Sequence, residues 1–169
     1  MKRPTPINKE RILGENDFIV SKTDLKGIIT YANRIFIDMA EYTEDELLGA
    51  PHNILRHEDM PRAVFKLLWD TVASGKEIFA FVINKTKNGN AYWVYANISP
   101  SFDPNGKIVG YYSVRRMANP KAIEKIKPIY NQMLKAEKAE GIEASSKILK
   151  DILSEKGVEY NELIISLQE

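Results

Sequence analysis

Two stretches near the start of the chain and three in its middle alternate apolar with polar residues, or are rich in β-branched and aromatic residues, as strands are. Turn-forming residues rich in Asp, Asn and Gly separate the first two stretches, and similar residues separate the last three. Short connections between successive strands favour antiparallel pairing. The predicted strands are residues 17–21, 28–32, 78–84, 91–101 and 108–115.

Apolar residues follow helical spacing in the interval between the second and third strands. The run Thr43–Glu46 has the composition of a capping box, which predicts a short helix that ends at Gly49. The longest early helix is predicted to begin at Met60-Pro61 and to end near Gly75. This order of elements predicts an α+β fold, a five-stranded antiparallel sheet with short helices on one face.

The composition changes after Asn119-Pro120, a helix cap followed by a proline that the first turn accepts. The remaining residues form three apolar stripes at helical spacing, and Pro128 predicts a kink or a fresh start within the first of them. The first dozen residues, with two prolines and several charges, are predicted to form a mobile arm. The expected division is an N-terminal arm (1–17), an α+β domain (18–118) and a helical tail for dimerisation or partner docking (119–169).

Composition and charge exclude several classes of function. The 169 residues include 24 basic and 23 acidic side chains, without a like-charge block that would favour nucleic acid. Cysteine is absent, which excludes disulfides, thiolate metal sites and chemistry through a cysteinyl adduct. The start of the chain lacks the apolar core of a signal peptide, and no apolar run is long enough to span a membrane. We therefore expect a cytoplasmic protein.

The unusual chemistry lies in the segment Asn53–Pro61, where charged residues precede the aromatic-rich helix. A catalytic triad that used His57 and Asp59 would need a nucleophile at a strained turn, and no such motif is present. A metal site on His52 and His57 would lack the helical i, i+4 spacing. We therefore expect neither enzyme activity nor a metal centre.

Phosphate binding is a further interpretation of this segment. Arg56 presents a planar fork that fits a phosphate, and His57 can add a hydrogen bond or a charge. An ion pair between Arg56 and Asp59 explains the same residues equally well. Trp69, one turn after Phe65, offers a stacking surface for a heteroaromatic ring, although such a pair is also typical of a core.

Three asparagines are candidates for polar contacts. Asn33 precedes a helical stretch and is expected to cap it. Asn84 and Asn97 lie in predicted strands, where asparagine is depleted. An inward-facing amide must find partners, which the rim of a heterocycle such as flavin could supply. An edge position that faces water explains either residue equally well.

Several runs of residues resemble the opening of a PAS domain, namely Ser21–Gly27, Ile29–Asn33 and Tyr42–Gly49. A more specific set resembles the PAS domain of bacterial aerotaxis receptors, which bind FAD and report cellular redox state to the chemotaxis machinery. That set consists of Pro51–Pro61, Phe65, Trp69, Lys87–Gly89 and Tyr92–Val94. The resemblance covers residues 18–120 and implies a PAS fold.

The resemblance also implies a cofactor site. It places Arg56, His57 and Asp59 in an FAD pocket, with Trp69 packed against the cofactor. Glu58 departs from the family and adds a negative charge close to the expected pyrophosphate, so FMN is an alternative to FAD. The other implied pocket residues, of which Asn84 is the candidate for contact with the isoalloxazine ring, are Asn33, Phe65, Asn84, Trp93 and Asn97.

After residue 120 the chain lacks the membrane segment, HAMP unit and methyl-accepting coiled coil of aerotaxis receptors. It therefore resembles the soluble PAS half of two-protein energy-taxis systems. This implies a redox sensor whose tail docks on a separate membrane-bound chemotaxis transducer, at the inner membrane face, or on a second copy of the chain. The alternatives are a PAS sensor for haem, with His52 or His57 as the axial ligand, and a cofactor-free interaction module.

Overall fold

Five antiparallel strands form one sheet at the centre of the protein. The computed structural model describes residues 4–7 and 9–169. The strands are β1 (Ile19–Thr23), β2 (Ile29–Ala32), β3 (Ile78–Lys85), β4 (Ala91–Phe102) and β5 (Ile108–Met117). Their order across the sheet is β2-β1-β5-β4-β3, so β2 and β3 are the edge strands. The predicted five-stranded antiparallel sheet is confirmed.

Short helices cover one face of the sheet, here called the inner face. They are α1 (Arg34–Ala40), α2 (Glu44–Leu47), a 3-10 helix (His52–Leu55) and α3 (Arg62–Ala73). Local chemistry explains where they begin. The Asn33 side chain caps α1, and Thr43 and Glu46 form the predicted capping box of α2. α3 follows Pro61 and buries Val64, Leu68 and Val72 against the sheet.

The two faces of the sheet receive alternate residues of β4, because successive side chains of a strand point in opposite directions. Ala96 and Ile98 belong to the inner face, where they line a cavity. Trp93 belongs to the other, outer face, where it stacks on Tyr130 of the tail with ring centroids 6.1 Å apart. Both faces of β4 are therefore covered by other parts of the chain.

The helical tail folds back on the domain. Its helices are α4 (Pro120–Glu140), α5 (Ile142–Lys156) and α6 (Tyr160–Gln168). The Tyr130 hydroxyl of α4 donates a hydrogen bond to the Phe81 carbonyl of β3 at 2.6 Å, and the Phe79 amide donates to Asn161 of α6 at 2.9 Å. The tail thus docks on its own sheet, along the outer face and the free edge of β3.

Of the kink or fresh start expected at Pro128, the fresh start is wrong, because α4 runs without a break from Pro120 to Glu140. Pro128 removes one backbone donor. It is exposed, so the carbonyl that loses this donor can turn to water, while Ile126 and Tyr130 on either side stay buried. Of the helices in the described residues, none is both long and apolar enough to cross a membrane.

The N-terminal segment lies against the sheet instead of forming the predicted arm. The Arg11 amide donates to the Ala91 carbonyl at 2.7 Å, and the Ala91 amide donates to the Lys9 carbonyl at 2.9 Å. Leu13 is buried in the core. In the structure this segment is therefore joined to the sheet by backbone hydrogen bonds; residues 1–3 and 8 lie outside the described part of the chain.

Candidate functional site

A cavity of about 260 Å³ lies between the inner face of the sheet and the 3-10 helix and α3. We call it the first cavity. Ligand pockets for small molecules begin at roughly 300 Å³, so its size is close to what one flat ring system needs. Its lining is apolar along the strands, with a few polar groups at separate points. The lining residues are Ser21, Thr23, His52, Asn53, Arg56, Phe65, Leu68, Trp69, Val82, Asn84, Ala96, Ile98, Tyr111, Ser113 and Arg115.

Helix α3 supplies the aromatic wall of the first cavity. Phe65 and Trp69 are four residues apart and therefore share one side of the helix. Trp69 meets Tyr111 of β5 edge-on, with ring centroids 5.4 Å apart and an interplanar angle of 72°. It also covers Gly27, where an added Cβ would lie 3.2 Å from the Trp69 ring. Trp69 remains 38% exposed, which places it at the mouth of the cavity.

Arg56 reaches the first cavity because the loop after the 3-10 helix pairs with the free edge of β3. Arg56 forms an isolated antiparallel bridge with Asn84, so the two side chains point to the same face. The Arg56 guanidinium lies over Phe65, 5.6 Å from the ring centroid. Four residues that the sequence analysis expected in one pocket all line this cavity, namely Arg56, Phe65, Trp69 and Asn84.

Three buried polar atoms on the first cavity have no hydrogen-bond partner among the described residues: Thr23 Oγ1, Asn84 Nδ2 and Arg115 Nε. Asn84 is only 3% exposed, so its unpaired amide is costly. Burial raises the pKa of the neighbouring Tyr92 hydroxyl to about 12, although the charges of Arg115 and Arg11 and the nearby Asn84 amide oppose that rise. A ligand whose rim carries acceptor atoms would satisfy the two N–H donors.

The sequence did not identify Arg115, which is the main charged group of this cavity. Arg115 is 2% exposed and donates to Ser21 Oγ at 2.5 Å. Its Nη1 lies 3.2 Å from His52 Nε2. Burial, and then the Arg115 charge, lowers the pKa of His52 to about 3, so this imidazole is neutral and accepts the hydrogen bond. Alternation along β5 places Arg115 on the same face as Tyr111 and Ser113, but the sequence does not show which of the two faces points inward.

His57 and Asp59 do not line the first cavity, contrary to the expectation from the resemblance. The loop crosses the edge of β3, so Arg56 faces inward and His57 faces the outer side. The Asp59 amide donates to His57 Nδ1 at 3.0 Å, and burial lowers the pKa of His57 while the nearby Asp59 and Glu58 carboxylates oppose this. Both residues line a second cavity of about 510 Å³ between the N-terminal segment, the outer face and α4.

The second cavity also contains Trp93, which was expected in the same pocket as Trp69. Trp93 follows Tyr92 on β4 and so points to the outer face, where Lys127 lies over its ring at 5.8 Å. Beside this cavity the fully buried Lys85 forms an ion pair with Glu58. The charge that Glu58 adds to the loop is therefore balanced within the chain.

Asn33 and Asn97 have structural contacts outside the first cavity. Asn33 accepts hydrogen bonds from the amides of Val20 and Phe36, each at 3.0 Å, and so joins β1 to the start of α1. Asn97 points to the outer face, where its amide donates to Glu77 at 3.0 Å. The expectation of direct ligand contacts in this cavity is not met for these two residues.

Neither histidine is placed as a free axial ligand for haem. The His52 Nε2 atom faces the Arg115 guanidinium, and His57 lies on the other side of the sheet edge. Within residues 4–7 and 9–169, no group of three or more His, Cys, Asp or Glu side chains is arranged to hold a metal ion.

Comparisons with known proteins agree with this architecture. A family described as the PAS fold matches residues 8–116. The aerotaxis receptor of Escherichia coli (strain K12) is 41% identical over 121 residues, which are 72% of this chain and 24% of that protein. The nitrogen fixation regulatory protein of Klebsiella pneumoniae is 29% identical over 97 residues, 57% of this chain and 20% of the relative. The chain thus spans a quarter or less of the length of these relatives.

A similar fold occurs among solved structures. A structure from a study of the light-oxygen-voltage domain mechanism with a flavin analogue superposes with a TM-score of 0.58 at 20% identity. The superposition covers 68% of this chain and 87% of the other. At this identity the likeness concerns the fold alone.

Proposed function

The chain belongs to the PAS fold family, and from this premise we propose that it is a redox sensor that binds a flavin in the first cavity, FAD in preference to FMN. It would report to a separate chemotaxis transducer in aerotaxis or energy taxis. The 41% identity to a protein named aerotaxis receptor supports this assignment, as does a fold shared with a light-oxygen-voltage domain studied with a flavin analogue.

The proposal is carried by three buried atoms on the cavity wall that lack a partner among the described residues, namely Asn84 Nδ2, Arg115 Nε and Thr23 Oγ1. Native proteins pair nearly all buried polar atoms, so two unpaired donors and a hydroxyl around an apolar cavity favour a ligand that supplies acceptors. When bound, a flavin supplies reversible electron uptake together with ring nitrogens and carbonyl oxygens that accept hydrogen bonds. The aromatic surfaces of Phe65 and Trp69 would pack against such a ring.

Two features are compatible with the dinucleotide FAD, which is proposed in preference to FMN because of the resemblance to aerotaxis receptors. Lys85 forms an ion pair with Glu58 and so reduces the repulsion between the Glu58 carboxylate and a diphosphate near this loop. Arg56 lies where the first cavity meets the edge of β3, and its guanidinium suits a phosphate group. His57 and Asp59 are proposed to contact the part of the ligand that extends beyond the ring.

The signal is proposed to leave through β3 and α3, the two elements that bring Asn84 and Trp69 to the cavity. By rotation of its side-chain amide, Asn84 can offer either a donor or an acceptor. It can therefore respond when reduction of the flavin changes which ring atoms donate and which accept hydrogen bonds. β3 is hydrogen-bonded to α4 through Phe81 and to α6 through Phe79. A shift of β3 would therefore reach the tail, which we propose as the docking element for the transducer or for a second copy.

Absorption spectroscopy of the purified chain tests the proposed cofactor. We expect visible flavin bands, or their appearance after reconstitution with excess FAD followed by gel filtration. A Soret band would support a haem sensor instead. A colourless protein that fails to retain FAD or FMN would overturn the flavin proposal and leave the cofactor-free interaction module.

The role of Asn84 is tested by Asn84→Leu, with Asn97→Leu as the matched control on the outer face. Both changes replace a strand amide by a side chain of similar volume, but only the first removes a donor from the cavity. We expect Asn84→Leu to retain flavin and to abolish the difference in tail hydrogen exchange between oxidised and reduced protein. If that difference persists in Asn84→Leu, Asn84 does not transmit the signal.

A further inference from the structure

Arg115 places a buried positive charge on the wall of the first cavity. No carboxylate of the described residues forms an ion pair with it. Its hydrogen-bonding neighbours, the Ser21 hydroxyl and the neutral His52 imidazole, compensate only part of the charge. The guanidinium also lies over the Phe36 ring, 4.5 Å from the ring centroid. The Nε donor remains unused in the part of the chain that the structure describes.

A buried cation of this kind is expensive for the folded chain. Burial lowers the pKa of Arg115 to about 10, which leaves the side chain charged near neutral pH. A guanidinium therefore does not escape the cost of desolvation by losing its proton. Packing alone would be served by an apolar side chain of similar length, such as methionine. Since Arg115 lines the first cavity, a compensating group can approach it from there.

We propose that Arg115 anchors the negatively charged or electron-rich edge of a planar aromatic ligand in the first cavity. This inference rests on the proposed function and names the group that the ligand must present. A guanidinium offers its N–H groups in one plane, which fits an edge of acceptor atoms, and Asn84 adds a donor on the same face of the sheet. The apolar side chains of Leu68, Val82 and Ile98 leave space for the flat ring.

For a bound flavin, the charge of Arg115 would favour the form that has gained an electron. The reduction potential of the bound ring is therefore expected to depend on this residue. Arg115 is in this sense a positioning and charge-compensating residue of the site.

The first experiment uses the full chain without flavin and follows its thermal midpoint in increasing benzoate. Benzoate is a planar aromatic anion, and benzamide is its neutral counterpart. We expect benzoate to raise the thermal midpoint of the wild type. The affinity of Arg115→Met for benzoate should be ten- to hundredfold weaker than that of the wild type, which is the range that a charge-assisted hydrogen bond supplies. Arg115→Lys keeps the positive charge but lacks the planar guanidinium, so its affinity for benzoate should lie between those of the wild type and Arg115→Met. Benzamide should have little effect on any of the three.

The second experiment measures the reduction potential of bound FAD by titration with dithionite, which supplies the electron and is itself oxidised. Arg115→Met should make one-electron reduction at least tenfold less favourable, a shift of about 59 mV to more negative values. Arg115→Lys should retain most of the wild-type potential. If Arg115→Met does not fold, the benzoate experiment decides through Arg115→Lys, because loss of the planar guanidinium must still weaken benzoate binding relative to the wild type.

The possible outcomes separate the two proposals. If the wild type retains no flavin but binds benzoate through Arg115, the flavin function fails and the anchor stands. If benzoate acts equally on all variants, or on none, the anchor proposal is overturned even in a flavoprotein. A purely structural Arg115 would show a different pattern, in which Arg115→Met loses stability while its flavin potential and benzoate affinity match the wild type.

Discussion

Glu137 in the tail is expected to stabilise the helix that carries the aromatic wall of the first cavity. Its carboxylate accepts hydrogen bonds from the amides of Arg62 and Ala63, each at 3.1 Å, although it lies 75 residues away from Arg62 in sequence. α3 has no side-chain cap of its own, because Pro61 occupies the cap position. The first turn of a helix leaves four backbone amides without partners, and Glu137 satisfies two of them.

The size of this contribution follows from general values for caps and helix dipoles. Loss of a capping side chain costs roughly 0.5–2 kcal/mol, and loss of a negative charge at a helix N-terminus roughly 0.3–1 kcal/mol. We expect Glu137→Ala to lower the free energy of unfolding by about 2 kcal/mol, which corresponds to about 4–8 °C in Tm for a chain of this size. Glu137→Gln keeps an acceptor oxygen and should lose about half as much.

Urea denaturation measures the stability, and hydrogen exchange at the Arg62 and Ala63 amides measures the contact itself. Glu140→Ala is the matched control, since Glu140 is an exposed acidic residue of the same helix α4. It should change stability by less than about 0.5 kcal/mol. The reasoning is refuted if Glu137→Ala unfolds like the control, or if the two amides exchange at the wild-type rate in it.

Two further changes test the interior of the domain. The pKa of His52 is lowered to about 3, so the unfolded chain binds a proton at this residue first as the pH falls. Between pH 7 and pH 5 the free energy of unfolding of the wild type should therefore fall by about 2 kcal/mol because of this group, and His52→Asn should not show this fall. If urea denaturation gives the same pH dependence for both proteins, the reasoning is contradicted. Tyr130→Phe removes the hydroxyl that binds the Phe81 carbonyl, and should cost about 1–3 kcal/mol because a buried acceptor loses its donor. Wild-type stability in that variant would show that another donor replaces it.

Local signals explain why most element positions could be predicted. Turn residues and strand composition fix the predicted strand 78–84 to within one residue of the observed Ile78–Lys85. The proline and the apolar stripe likewise predict α3. The same local pattern brings Phe65 and Trp69 to one side of that helix. These predictions depend only on nearby residues, which is why they hold.

The face to which a residue of β4 points could not be predicted, because both faces of the strand are covered. Tyr92 and Trp93 are equally plausible core residues by composition, and both are buried. Alternation of apolar and polar residues identifies a face only when the other face meets water. The tail removes that contrast here, so the sequence did not show that Trp93 faces away from the first cavity, and it did not distinguish Arg115 from its neighbour Arg116.

The position of the tail also limits how the proposed signal can reach a partner. α4 stacks Tyr130 on Trp93 and covers the outer face, so a transducer that bound this face would have to displace the helix. α4 also caps α3 through Glu137, and displacement would therefore uncap the helix that carries Trp69. Binding to the outer face and occupation of the first cavity would then be coupled, because each changes the free energy of the other through the same helix. Docking on the exposed side of the tail would leave these contacts in place and would make the coupling depend on β3 alone.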